Sequence, residues 1–163
     1  MKYILKIFVV LASFMFFSGC GHSSIDGAYN AEKYNSIYYW KTTFDISPTE
    51  MEFLNKHDIE RLYVRMFDVA VEQNPLSENK EVVPIATTKF VSEVPSNLEI
   101  VPVTYITIDA LRAMEGEEYD FATLIVERLL AMSSYNNCGE IKEVQIDCDW
   151  TSTTKDSYSK LCH

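Results

Sequence analysis

Residues 61–71 read RLYVRMFDVAV, with Leu62, Val64 and Met66 alternating against Tyr63, Arg65 and Phe67. A period of two with β-branched and aromatic enrichment is the pattern of a β-strand. Moving towards the amino terminus, residues 45–48 (DISP) read as a helix start. Ser47 supplies the cap, Pro48 suits the first helical position, and Glu50 stands three residues after Ser47 as a capping box requires. That helix is expected to run through Phe53 and Leu54 to about His57. Before it, residues 37–44 (IYYWKTTF) form another strand by the same composition argument. In the other direction, residues 72–95 contain Pro75, Pro84 and Pro95 and show no helical period, so they read as a long connection.

A third strand is expected at residues 100–107 (IVPVTYIT). A helical pattern then begins at Asp109, breaks near Gly116 and resumes from Tyr119 to about Ser134. Phe121, Leu124, Ile125, Leu129 and Met132 fall on one face of it, and Asn136, Asn137 and Gly139 end it. Residues 143–150 (EVQIDCDW) make a fourth strand, and residues 151–163 open a further helix. Strand alternating with helix implies a parallel sheet. The four strands occupy the 127 residues from 37 to 163. Doubling gives about 254, near the roughly 250 residues of an eight-stranded (β/α) barrel. The expected fold class is therefore α/β, with parallel (β/α) units forming the N-terminal half of a TIM-type barrel; a small open α/β sheet is the alternative. On the barrel reading the chain is a truncated fragment, and its unpaired edges favour association.

Composition narrows the partners. The chain has 163 residues, 47% hydrophobic and 23% charged, with four cysteines, which excludes collagen, low-complexity disorder and a disulfide-dense miniprotein. A formal charge of −10 without a basic stripe excludes nucleic acid. Lys2 and Lys6 precede an apolar run at residues 7–17 interrupted only by Ser13. It is shorter than the about 20 residues a spanning helix needs, and fits a secretory signal. Phe17-Ser18-Gly19-Cys20 then resembles the bacterial lipobox. The resemblance implies a signal peptide over residues 1–19, acylation (palmitate) at Cys20 and a polar tether over residues 20–36. The protein would sit in the cell envelope, anchored to a bacterial membrane on its periplasmic or surface side. Without Lys2 and Lys6 the mature chain has 12 basic and 24 acidic residues, a formal −12. Cys138, Cys148 and Cys162 remain, an odd number, and their spacing with His163 matches no zinc pattern.

The fourth strand carries the chemistry. Val144, Ile146 and Cys148 point one way; Gln145, Asp147 and Asp149 point the other, towards a barrel lumen. Asp147 and Asp149 are the candidate catalytic residues, at the carboxyl end where barrel enzymes hold their sites. Carboxylates two residues apart on a strand lie about 6–7 Å apart. Ionising both costs about 2–3 kcal/mol at an effective dielectric near 20, roughly two pKa units, which favours one of them as a general acid. The alternative is that both acids are structural and paired to a cation such as Arg65. Trp40 and Trp150 are candidate platforms for a sugar ring, Gln145 and Tyr105 candidate lumen polar groups. Arg65 and Asp68 are either site residues or an ion pair at the rim. No P-loop, dinucleotide glycine motif, Gly-x-Ser-x-Gly or His-Glu-x-x-His occurs, so no cofactor and no metal is expected.

Gln145-Ile146-Asp147-Cys148-Asp149-Trp150 resembles the fourth-strand signature Asp-Gly-x-Asp-x-Asp-x-Glu of the chitinase-type, family-18 glycoside hydrolases. Asp147 and Asp149 match its second and third acids. Val144 stands at the first, and Thr151 stands where that family has its proton-donating Glu. Over most of residues 38–161 the chain is also similar to uncharacterised lipoproteins of Bacteroidetes-type bacteria with glycoside-hydrolase-like barrels. The similarity rests on Tyr39-Trp40-Lys41-Thr42-Thr43-Phe44, Leu62-Tyr63-Val64-Arg65-Met66-Phe67-Asp68-Val69 and Gln145 to Thr151. Those proteins extend past the equivalent of His163. Together these resemblances imply an exported lipoprotein whose barrel acts on glycans, or a non-catalytic glycan-binding or scaffold lipoprotein, with carbohydrate as the partner. Metabolic labelling with a fatty-acid analogue is expected to mark the wild-type chain and to vanish in Cys20→Ala. An unlabelled, freely soluble wild-type protein would contradict the lipobox.

Overall fold

The computed structural model describes residues 34–77 and 79–163. The expected signal peptide, Cys20 and the tether as far as residue 33 lie outside the described residues. Four parallel strands form the main sheet in chain order: β1 (Ser36–Tyr39), β3 (Arg61–Gln73), β6 (Glu99–Ile106) and β7 (Gln145–Asp147). Between them come α1 (Pro48–Lys56), α2 (Ile108–Ala113) and α3 (Glu118–Tyr135), and α4 (Lys155–Leu161) follows β7. The capping box forms as expected: the Glu50 amide donates to the Ser47 hydroxyl and the Ser47 amide to the Glu50 carboxylate. Gly116, at φ +91°, divides α2 from α3, a conformation that suits glycine because it has no Cβ.

Strand order that repeats chain order sends every crossover the same way and leaves all helices on one face of the sheet. One core confirms it. Leu54 of α1, Leu111 of α2, Leu129 of α3 and Leu161 of α4 join Leu62, Val64, Phe67, Ile100 and Ile106. The opposite face is concave. The Tyr38 hydroxyl of β1 donates to Gln145 Oε1 of β7 at 3.0 Å, although β3 and β6 lie between them. In a flat sheet those two strands would stand about 14 Å apart, so the sheet curls as a half-barrel.

The long connection after β3 holds structure that its prolines concealed. Strand β4 (Lys80–Ile85) returns antiparallel along Asp68–Gln73 and occupies the same edge of β3 as β1, further up. Pro84 is tolerated because β4 is an edge strand. The expected strand over residues 37–44 is also divided. After β1 the chain turns around Tyr39, whose hydroxyl donates to the Asp45 carbonyl and accepts from the Asp45 amide, both at 3.0 Å. It then forms β2 (Thr43–Phe44), which pairs in parallel with β5 (Lys89–Phe90) in a separate two-stranded sheet. The fourth strand is shorter than expected and ends at Asp147.

Strand β3 carries a β-bulge. Its register to β6 pairs Arg65 with Val103 and Phe67 with Thr104, which leaves Met66 as the extra residue. The bulge reverses the alternation read from the sequence: Phe67 and Val69 join the core face, while Arg65 and Asp68, three residues apart, come to the concave face together. Thr88 fills the gap between β1 and β4. Its amide donates to the Met66 carbonyl at 2.7 Å and its hydroxyl to the Arg65 carbonyl at 2.8 Å. Thr88→Val keeps the first bond and loses the second, leaving a buried carbonyl unsatisfied. A loss of about 1–2 kcal/mol is expected, seen as a lower denaturant midpoint with an unchanged slope.

Candidate functional site

The register of the four strands lays out the concave face in rows. Tyr38, Tyr63 and Val101 form the lowest, Arg65, Val103 and Gln145 the next, and Asp68, Tyr105 and Asp147 the row nearest the carboxyl end. Asp149 follows β7, beyond that last row. Val101 and Val103 are buried beneath these polar and aromatic side chains. At the opposite, amino-terminal rim Arg61 binds Glu99 at 3.1 Å and Glu143 at 3.2 Å, tying β3 to β6 and to the approach to β7.

The Arg65 guanidinium grips Asp68 with two bonds, Nε to Oδ1 at 2.7 Å and Nη2 to Oδ2 at 2.5 Å. Bidentate geometry of this kind fixes both side chains. Arg65 is therefore spoken for by Asp68 rather than by Asp147 or Asp149. Asp149 is exposed and accepts a hydrogen bond from the Tyr105 hydroxyl at 3.2 Å. Surrounding protein and the Asp149 charge both raise the Tyr105 phenol above its ordinary value, so it stays a donor at neutral pH. Asp147 lies one step deeper and half-buried, and its carboxylate accepts no hydrogen bond from a described residue. Burial raises the neighbouring Cys148 thiol, and the charges of Asp149 and Asp147 add to it. Cys138 is buried and pushed up to about 11 by desolvation, which makes it an inert packing residue.

Aromatic rings flank the acids on the β1 side. Tyr38 stacks on Trp40 with centroids 6.0 Å apart and meets Tyr63 at 5.0 Å with the rings tilted by 33°. Half of Tyr38 and 44% of Trp40 remain open to solvent. Sequence reasoning singled out Trp40 and passed over Tyr38 and Tyr63. The signal was present, because Tyr38 has the parity of Trp40, and only the register shows that Tyr63 stands next to it. Trp150 has the parity of Ile146 rather than of Asp149. Its ring stacks on Tyr158 of α4 at 6.4 Å, and the Tyr158 hydroxyl donates to the Ile146 carbonyl at 2.8 Å. The structure thus gathers Trp40, Arg65, Asp68, Tyr105, Gln145, Asp147 and Asp149 on one face and sets Trp150 against the helix that follows β7. Thr151 belongs to the turn that opens α4, where its amide donates to the Thr154 hydroxyl at 2.9 Å.

Among the described residues no group of three or more His, Cys, Asp or Glu side chains is arranged to hold a metal ion. Comparison with family models, with curated proteins and with solved structures finds no match to this chain. Chemically, the face offers stacking surface from Tyr38 and Trp40, acceptors from Asp147 and Asp149, and mixed donor–acceptor groups from Gln145 and Tyr105. The Arg65–Asp68 pair is a structural support beneath them. Asp68→Ala leaves a guanidinium that is 9% exposed without its partner, and a loss of about 3 kcal/mol is expected. The double replacement Arg65→Met with Asp68→Leu removes both charges and should recover most of that loss in a denaturant titration.

Proposed function

We propose that this protein is a lipid-anchored protein of the bacterial envelope whose concave half-barrel face acts on glycans. The observation that carries the reading is the pairing, on one face, of an open aromatic surface with two carboxylates that, among the described residues, pair with no cation. A pyranose ring presents an apolar C–H face and a rim of hydroxyls. Tyr38 and Trp40 suit the first; Asp147, Asp149, Gln145 and Tyr105 suit the second. An acidic face favours a neutral or cationic sugar over a uronic acid, through plain charge repulsion. For cleavage, Asp149 would lie nearest the scissile bond, steadied by the Tyr105 hydroxyl, with Asp147 beneath it. Two carboxyls placed across a bond serve ordinary glycosidases; a substrate-assisted route needs one acid and a stabiliser, which this pair supplies.

A second reading is favoured by Thr151. The residue in the place of the proton-donating Glu is held in the turn before α4, which supports a protein that binds glycans without cleaving them. Titration of a panel of neutral and amino-sugar oligosaccharides, with reducing-end release followed in parallel, separates the two. Trp40→Ala should weaken binding about tenfold, the loss of one stacking contact of about 1.4 kcal/mol. Asp149→Asn should abolish release without moving the thermal midpoint. Binding with no release by the wild type establishes the binding reading, and the absence of any binding removes both.

A further inference from the structure

We propose that the hollow between α3, β3 and β4 binds a medium-chain fatty acid, its carboxylate held by Arg128 and its alkyl chain inside. Val69 of β3, Val82 and Pro84 of β4, and Phe121, Leu124 and Ile125 of α3 line a space of about 280 Å³. It lies on the helix side of the sheet, away from the concave face. No residue of β1 or β7 lines it, and β3 is an interior strand of the main sheet. The lining carries one charge. Arg128 is exposed at the rim, with its guanidinium 5.1 Å from the centroid of the Phe67 ring, and its Nη2 donates to the Thr87 hydroxyl at 3.3 Å. Arg61, Arg65 and Arg112 each bind a carboxylate, whereas Arg128 binds none among the described residues.

Charge and polarity together select the occupant. In a chain with 24 acidic residues against 14 basic ones, a guanidinium that meets no acid beside an apolar space suits an anion with an apolar body. The planar guanidinium matches a carboxylate through two parallel hydrogen bonds. Thr87 accepts from Arg128 and keeps its own hydroxyl proton to donate to the same carboxylate. Every other lining side chain is Val, Pro, Phe, Leu or Ile. A sugar or a nucleotide would bury hydroxyls there without partners, at a cost that an alkyl chain does not incur. A peptide strand would have to pair with the free edge of β4, where Pro84 has no amide hydrogen to give. At about 30 Å³ for a group the size of a water molecule or a methylene, the space takes a chain of about eight to ten carbons. Such a chain would also cover Leu124, a leucine left 60% exposed.

The test is photolabelling of the full chain, in a nonionic detergent, by octanoic acid carrying a diazirine at its far end, with the label mapped by peptide mass spectrometry. The expected labels fall on residues 82–84 and 121–125. Octanoate should displace the probe. Octanol and methyl octanoate, which lack the charge, should do so about tenfold less well at equal concentration outside the micelles. From hexanoate to decanoate, displacement should improve about fourfold per methylene and then level off. Arg128→Gln should lower labelling about tenfold with the wild-type circular dichroism, and Arg128→Lys should restore part of it. Leu124→Asp, at a largely exposed side chain, sets a like charge in the hollow and should lower labelling in the same direction. Labels elsewhere on the chain, equal displacement by octanol, or labelling indifferent to Arg128→Gln and Leu124→Asp would overturn the proposal.

Discussion

Strand β3 must satisfy β6 along one edge from Arg61 to Val69 and three different partners in turn along the other. Tyr39 of β1 ends its pairing at Val64, Thr88 takes the carbonyls of Arg65 and Met66, and β4 takes over from Asp68. The extra residue at Met66 is what lets these three partners follow one another. By adding one residue to β3 and none to β6, the bulge exchanges the two faces of the strand beyond it. Phe67 and Val69 then reach the helices, where Arg128 of α3 lies over the Phe67 ring at 5.1 Å. Asp68 turns to the concave face and meets Arg65. Core and candidate site depend on the same local irregularity, and Thr88 and the Thr104 hydroxyl, which donates to the Phe67 carbonyl at 3.0 Å, hold it in place.

The electrostatic arrangement follows from that placement. Among the described residues, Arg65 is committed to Asp68, Arg61 to Glu99 and Glu143, and Lys41 to Glu50. Among the described residues no cation pairs with Asp147 or Asp149, the first half-buried and the second open to solvent. A chain of net charge −10 thus places these two carboxylates on the same face as the half-exposed rings of Tyr38 and Trp40. Glu50, held by Lys41 and the Ser47 cap, is depressed to about 2 and keeps its role as a helix anchor down to acidic pH. Its folded value lies below the unfolded one, so the stabilisation is present above the usual carboxylate range and fades as pH falls towards 2.

Much of the fold was legible one residue at a time. The Ser47–Glu50 capping box, the break at Gly116 and the stop at Asn136 and Asn137 are local events, set by side-chain hydrogen bonds and by glycine's freedom at positive φ. The strands of the parallel sheet were legible because period-two alternation is a local property, and so was the inward parity of Gln145, Asp147 and Asp149. Leu124 shows the limit of the same method. It has helical spacing with the core residues of α3, yet 60% of it is exposed, at a hollow that α3 shares with β3 and β4.

The sequence by itself determined the strands of the parallel sheet, the helices between them, the Ser47 cap of α1 and the parity of the acids on the last strand. All of these rest on interactions within a few residues of the chain. The tertiary structure alone decided that β4 doubles back along β3, that Met66 is a bulge, that Arg65 takes Asp68 rather than Asp147, and that the Trp150 ring rests on Tyr158. Each of these depends on how a strand comes to lie against its neighbours or a helix against the strand before it. Alternation along a strand carries no mark of an extra residue until the neighbouring strand supplies the register against which it is counted.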